Sequence, residues 1–154
     1  MAGYVDIHAH ILPGIDDGPE DLAGSLDMAR AAADSGITTL VATPHLRADF
    51  SNVRVCELAD RCCAMQEAID REQIPLRIVS GAEVSLVWAL HASDEELELA
   101  SYGQLGTDLL IETPSDVTMT DRDLYMIRAK GFRITLAHPE RSQLFRANVS
   151  ASKR

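Results

Sequence analysis

The sequence predicts an α/β protein, organised as an incomplete parallel (β/α) barrel of about five strands. Two observations lead to this class. Short β-type runs alternate with stretches of helical periodicity along the chain, which is typical of parallel sheets. The chain has 154 residues, 46% hydrophobic and 25% charged, which suits one globular domain. We predict one domain over residues 1–141 and a polar tail over residues 142–154.

The first half of the chain contains three predicted strands and two predicted helices. The strands cover 4–9, 38–42 and 76–79. The first helix covers about 20–35, because Pro19 suits its first turn and Gly36 suits the position after its end. The second helix covers roughly 53–71, because five apolar residues recur at helical spacing on one face: Val55, Leu58, Cys62, Met65 and Ile69.

The second half continues the alternation and then stops. We predict a helix at about 94–101, a strand at 108–111, a helix at 120–130 and a fifth strand at 132–137. Residues 142–154 are polar and have little apolar periodicity. A barrel removes its strand edges only by closing, so five strands leave edges open. We therefore expect the isolated chain to be weakly stable or to form a homo-oligomer.

Charge and composition exclude several classes. The formal net charge of -10 disfavours a nucleic-acid partner. No run approaches the about 18 apolar residues of a membrane-spanning helix, and the first residues do not resemble a signal peptide. A cytoplasmic location is expected. The three cysteines lack an arginine at the spacing that a cysteine phosphatase needs, so thiol catalysis is disfavoured.

Each predicted strand is followed by a histidine or a carboxylate. The carboxyl ends of parallel strands meet at one face of a barrel, so these side chains should lie close together. His8 and His10 are two residues apart, so their side chains leave the strand on the same side. Imidazole and carboxylate together suit zinc, iron or manganese better than magnesium or calcium. The candidate ligands at strand ends are His8, His10, His45, Glu83, Glu112 and His138.

Other polar residues near these strand ends extend the prediction. Asp16 and Asp17 follow the first strand and are further candidate ligands. Arg47 and Arg141 follow His45 and His138, and the planar fork of arginine matches phosphate oxygens. Cations beside a metal cluster indicate an anionic substrate, most simply a phosphate ester. We interpret the fifth histidine, His91, as a surface or packing residue.

The quoted residues occur in segments that resemble one known family. These segments are Asp6-Ile7-His8-Ala9-His10 with the following loop to Gly18, Ala42-Thr43-Pro44-His45, Gly81-Ala82-Glu83 and Ala137-His138-Pro139-Glu140-Arg141. They resemble the PHP (polymerase and histidinol phosphatase) superfamily, and most closely the bacterial capsular and exopolysaccharide protein-tyrosine phosphatases. The resemblance implies a distorted seven-stranded (β/α) barrel. It also implies a site for up to three divalent metals, typically manganese, with iron or zinc as alternatives.

The resemblance also implies roles for individual residues. His8 and His10 would bind one metal, Glu83 would bridge two, and Glu112 with His138 would serve the second. Asp17, favoured over Asp16, would serve the third with His45. Arg47 and Arg141 would bind phosphate. The implied substrate is phosphotyrosine on the tail of a bacterial tyrosine kinase that controls polysaccharide export.

The sequence departs from the family pattern after His138. Family members are longer, and their later part carries an Asp-x-His motif that has no counterpart here. Two metal ligands of the family pattern are therefore missing, so we expect a fragment, a truncated gene product or a decayed copy. Two alternatives follow. One is a non-catalytic remnant that binds metal without turnover, and the other is a small-molecule phosphatase similar to histidinol phosphatase.

Overall fold

The computed structural model describes residues 3–114 and 121–142, and it confirms an α/β fold with parallel strands. Within these ranges there are seven strands: β1 (Tyr4–Ala9), β2 (Ile37–Ala42), β3 (His45–Leu46), β4 (Arg77–Ser80), β5 (Glu83–Ser85), β6 (Asp108–Glu112) and β7 (Arg133–Ala137). The same ranges contain five α-helices: α1 (Leu22–Asp34), α2 (Leu58–Arg71), α3 (Leu86–His91), α4 (Asp94–Ala100) and α5 (Asp121–Ala129).

The strands form two parallel sheets, ordered β1-β2-β4 and β3-β5-β6-β7. Each of the five predicted strands is present, and two of them, β2 and β4, are each followed by a further short strand. Thr43 and Pro44 separate β2 from β3, and Gly81 and Ala82 separate β4 from β5. The sequence reasoning missed β3 and β5, because two- and three-residue strands are too short to show an alternating pattern.

The breaks between the sheets are held by hydrogen bonds and close packing. The Thr43 N–H donates to the Ala9 carbonyl at 2.8 Å, and the Glu83 N–H donates to the Pro44 carbonyl at 3.0 Å. At Gly81, a Cβ would lie 2.8 Å from Val41 Cγ1, so only glycine allows this close approach. The chain therefore passes from one sheet to the other at a fixed position, directly before Glu83.

The helix boundaries follow from capping. The Asp21 side chain accepts from the Gly24 N–H at 2.9 Å, so α1 begins at Leu22 and not at the predicted residue 20. The segment before α2 is a short 3₁₀ helix, Val55–Glu57, so α2 begins five residues later than predicted. The sequence reasoning also missed α3, which is short and begins after the Ser85 cap. Thr120, the predicted start of the next helix, lies outside the described residues.

The core lies between the strands and the helices. The apolar face predicted for α2 is buried at Leu58, Cys62, Met65 and Ile69. The largest fully buried side chains elsewhere include Ile11, Leu12, Leu40, Leu97, Leu109, Leu110, Ile111 and Ile127. This packing fixes the strands and leaves polar side chains at their carboxyl ends.

The edge strand β1 and the start of the predicted polar tail both bear on the sequence-based predictions. In β1, at the outer end of its sheet, the apolar side chains of Tyr4, Val5 and Ile7 are exposed. Of the predicted polar tail, only Ser142 is described, and it is buried; residues 143–154 lie outside the described residues. No helix in the described part is long and apolar enough to cross a membrane.

Candidate metal centre

The candidate ligands converge at one end of the two sheets. His8 lies in β1 and His10 directly follows that strand, while His45 opens β3 and Glu83 opens β5. The last two candidates come from the neighbouring strands, since Glu112 ends β6 and His138 follows β7. His138 has a left-handed backbone conformation (φ 47°), which turns the chain sharply after β7. The structure therefore brings strand-end residues separated by over a hundred positions into one cluster.

Glu83 lies at the middle of this cluster and is fully buried. Its Oε2 lies 3.0 Å from His8 Nε2, 3.1 Å from His10 Nε2 and 3.4 Å from His45 Nδ1. Its Oε1 lies 3.9 Å from His138 Nε2. Burial alone would raise the pKa of Glu83, but hydrogen bonds with His10 and His8 outweigh it and hold that pKa well below its usual range. Glu83 is therefore a carboxylate.

Three overlapping groups of side chains have the spacing of metal ligands. They are His8 with Glu83 and His138, His10 with Asp17 and His45, and His45 with Glu83 and Glu112. The ligand atoms within each group lie within 4.8 Å of one another. Glu83 Oε1 and His45 Nδ1 are buried and have no hydrogen-bond partner in the described structure. Buried polar atoms without partners are costly, and cations would satisfy both, so the residues fit a metal site.

The two loop aspartates have different environments. The Asp16 side chain is buried; its Oδ2 lies 2.7 Å from His10 Nδ1 and accepts from the His45 N–H at 3.0 Å. Its Oδ1 accepts from the Gly18 N–H at 3.1 Å. The Asp17 side chain is 62% exposed, and its Oδ1 lies 3.5 Å from His10 Nδ1 and 3.6 Å from His45 Nε2. Asp16 therefore holds the ligands in place, and Asp17 faces the cluster from the solvent side.

Asp16 also changes the charge state of its histidine partner. Burial lowers the pKa of His10, but hydrogen bonds to Asp16 and Glu83 and their negative charges raise it to about 10 overall. The same contacts hold the pKa of Asp16 below its usual range, against the effect of burial. Sequence reasoning named Asp16 as a candidate ligand but missed its contact with His10. The Asp-Asp-Gly turn is the sequence signal for such an inward aspartate.

The two predicted phosphate-binding arginines differ in their surroundings. Arg47 forms a paired contact with Asp49, at 2.7 and 2.8 Å, and its Nη1 lies 2.8 Å from Glu112 Oε1. These hydrogen bonds, first of all the one with Asp49, raise the pKa of Arg47 further. Arg141 is largely exposed, and its Nε lies 4.0 Å from Glu140 Oε1. Arg47 therefore neutralises the carboxylates of Asp49 and Glu112 at the edge of the cluster, whereas the side chain of Arg141 is largely exposed to solvent.

A cavity of about 920 Å³ opens beside the cluster. Its lining includes Arg47 and Arg141 together with Glu112 and His138, so the predicted phosphate-binding residues and two candidate ligands face the same space. The exposed His91, predicted to be a surface or packing histidine, also lines it. The volume lies within the range of small-molecule pockets.

Parallel strands whose carboxyl ends bring histidines and carboxylates together define an α/β protein with groups of side chains that could hold metal ions. The chain belongs to the family described as "Capsular polysaccharide synthesis, CpsB/CapC", which it matches over residues 4–154. The resemblance found in the sequence is thereby confirmed.

Known relatives and a solved structure agree with this family. The chain is 33% identical over 148 residues to the tyrosine-protein phosphatase YwqE of Bacillus subtilis and 27% identical over 148 residues to CapC of Staphylococcus aureus. A crystal structure from a study of YwqE and of Streptococcus pneumoniae CpsB, described as metal-dependent tyrosine phosphatases, matches with a TM-score of 0.79 at 33% identity. The alignments cover 94–96% of this chain but only 57–60% of those proteins. The chain therefore spans less than two thirds of the relatives' length.

Proposed function

We propose that this protein is a metal-dependent phosphoester hydrolase that acts on phosphotyrosine in proteins. The observation that carries the proposal is Glu83, a fully buried carboxylate with three histidine nitrogens from two strand segments, β1 and β3, within 3.4 Å of one oxygen. Such a centre suits cations that several strands hold in common. The names of the relatives, YwqE and CpsB, support phosphotyrosine as the substrate class.

The proposed ligands are His8, His10, Asp17, His45, Glu83, Glu112 and His138. Up to three divalent ions would be held, with manganese as the first choice and iron or zinc as alternatives. When bound, such ions supply positive charge for the phosphoryl group and lower the pKa of water, so that hydroxide exists near neutral pH.

The protein side chains have two kinds of task in this proposal. Asp16 orients the His10 ring, so that Nε2 faces the cluster. Arg141 and Arg47 line the cavity and would neutralise phosphoryl oxygens, where negative charge must be stabilised. Arg47 would do so after exchanging its contact with Glu112. A tyrosine leaving group has a pKa of about 10, so it departs with little help from a proton donor.

The wider assignment follows the family. We propose the tail of a bacterial tyrosine kinase of capsule or exopolysaccharide synthesis as the substrate, and the cytoplasm as the location. We also propose that the strands belong to a barrel of the PHP type. The parallel order of the strands, which follows their order along the chain within each sheet, supports this. Residues 1–141 would form this domain. The exposed apolar side chains of β1 support a homo-oligomer.

One experiment tests the proposed function against its alternatives. Bound metal is counted, and hydrolysis of p-nitrophenyl phosphate, a phosphotyrosine peptide and histidinol phosphate is measured with and without manganese. We expect bound metal and manganese-dependent hydrolysis of the two aryl esters. Bound metal without any turnover would instead indicate a non-catalytic remnant, and preference for histidinol phosphate would indicate a small-molecule phosphatase. Absence of bound metal would contradict all three assignments.

A further inference from the structure

The cavity beside the cluster has two chemically different ends. Arg47, Glu112, His138 and Arg141 line the end next to the cluster. The remaining lining is mainly apolar and includes Leu46, Phe50, Val53, Leu86, Trp88 and Pro114, together with the polar residues Ser51, Ser85, His91, Glu96 and Thr113. A polar end continuous with an apolar wall suits a ligand that joins an anionic group to a hydrophobic one.

We propose that Phe50 and Trp88 form a subsite for the aromatic ring of a tyrosine phosphate ester, and that this subsite selects aryl over alkyl phosphates. The inference rests on the proposed function, because it places the phosphoryl group at the metal cluster. Phe50 and Trp88 are thus specificity-determining residues, and neither was singled out from the sequence.

Phe50 is fixed at the junction between the two ends. It closes the 3₁₀ helix Ala48–Phe50, and its ring stacks on the candidate ligand His45 with centroids 5.1 Å apart and planes 8° apart. The Arg47 Cζ lies 5.3 Å from the Phe50 ring centroid. A substrate ring seated against Phe50 would therefore place its phosphate oxygen near the cluster and beside Arg47.

Trp88 lines the same cavity and is positioned by local structure. It lies in the first turn of α3, where its backbone N–H donates to the Ser85 hydroxyl at 3.2 Å. Leu86, at the start of the same helix, is buried, and Trp88 itself is half-buried. A half-buried indole on a fixed helix turn offers a flat apolar surface for another aromatic ring.

The shape of the cavity explains the expected selectivity. A phosphoserine side chain would reach the polar end but would leave Phe50 and Trp88 in contact with water. A phosphotyrosine ring would remove apolar surface of both from water, which favours binding. At about 920 Å³, the cavity also has room for peptide residues next to the phosphorylated tyrosine.

A selectivity measurement tests the subsite. The values of kcat/KM are compared for two peptides of one sequence that carry phosphotyrosine or phosphoserine. We expect Trp88→Ala to lower the ratio of the two values about tenfold, with unchanged metal content. Tyr125→Ala is the matched control, because Tyr125 is an exposed aromatic residue on α5 that does not line the cavity. An unchanged ratio in Trp88→Ala with intact metal content would overturn the inference.

A binding measurement separates the subsite from the catalytic proposal. Trp88 is the single tryptophan of the chain, so its fluorescence reports on the cavity. Phenylphosphonate and methylphosphonate, which are not hydrolysed, are titrated into the manganese-loaded protein. We expect phenylphosphonate to bind about tenfold more tightly and to change the emission. Equal affinities, or no change in emission at saturation, refute the subsite. A preserved fluorescence response without hydrolysis of any ester would refute the proposed function and leave the subsite standing.

Discussion

At the scale of single residues, Glu83 has the largest expected effect on the centre. Glu83→Gln keeps the size of the side chain but removes the charge that faces His8, His10 and His45. We expect bound metal to fall and phosphatase activity to drop by more than about a hundredfold, beyond the usual effect of outer partners. Metal analysis and turnover of p-nitrophenyl phosphate measure both quantities. Glu95→Gln, an exposed position on α4, is the matched control and should match the wild type.

The two loop aspartates give a second prediction. In Asp16→Asn, the amide can accept from one side only, so either the Gly18 N–H or the His10 and His45 contacts lose their acceptor. We expect the metal affinity to fall about ten- to a hundredfold and the melting temperature to fall as well. Asp17→Asn should lower metal affinity with little change in melting temperature, because the side chain is exposed. Equal melting temperatures for both variants would contradict the distinction.

The cysteines allow a prediction about pH. Cys62 is buried in α2, and burial raises the pKa of its thiol to about 11, whereas Cys56 and Cys63 are exposed. A raised pKa in the folded state means that the unfolded state loses its proton first. The contribution of Cys62 to the free energy of unfolding is therefore complete below about pH 9, and it is lost as the pH rises through about 11.

Thiol titration checks this environment. At pH 8, a disulfide reagent should modify two cysteines of the native protein rapidly and the third only after denaturant is added. Cys62→Ala should keep both rapid reactions and lose the slow one. Three equally rapid reactions would show that α2 does not protect Cys62.

At the scale of elements, α4 shows how a short helix is fixed. Ser93 accepts from the Glu96 N–H at 3.2 Å, and the Glu96 carboxylate accepts from the Ser93 N–H at 2.8 Å, which is a complete capping box. We expect Ser93→Ala to lower the free energy of unfolding by about 1 kcal/mol in a denaturant titration. Ser93→Thr retains the hydroxyl and should lie near the wild type. Loss of equal size in both variants would exclude the cap as the cause.

Elements with strong periodicity could be predicted from the sequence, and short ones could not. The buried face of α2 repeats over about three turns, so Leu58, Met65 and Ile69 indicate it clearly. By contrast, α3 has six residues and reads Leu-Val-Trp-Ala-Leu-His, an apolar run that shows no helical face. The sequence therefore gives no sign that Trp88 lines a cavity. Such runs fit a strand or a buried helix equally well, and only tertiary packing decides.

The convergence of the candidate ligands could also be predicted, because it follows from the geometry of parallel strands alone. For His8, His45 and Glu83, their positions at strand ends were enough to predict that they lie close together. The contact between Asp16 and His10 could not, since it depends on how the loop from residue 11 to residue 18 folds back. The pairing of Arg47 with Asp49 depends likewise on a local 3₁₀ turn.

At the scale of the whole molecule, metal should stabilise the fold. The proposed ligands come from five strand segments and one loop, so the complete site exists only in the folded chain. A metal at about a hundred times its Kd adds about 2.7 kcal/mol to the free energy of unfolding. We expect the melting temperature to rise with manganese and fall with a chelator, measured by thermal denaturation. Glu83→Gln should respond much less. No shift in the wild type at saturating metal would contradict the site.

The overlap of the three ligand groups has a consequence for how the centre fills. Glu83 belongs to two groups and so does His45. An ion bound by one group therefore changes the ligands that are available to the adjoining group. The first ion to enter fixes the rotamers of shared side chains for the next, and it also repels that ion by its charge. Stepwise affinities should therefore be unequal and mutually dependent, and a titration that follows heat should show linked events instead of one set of identical sites.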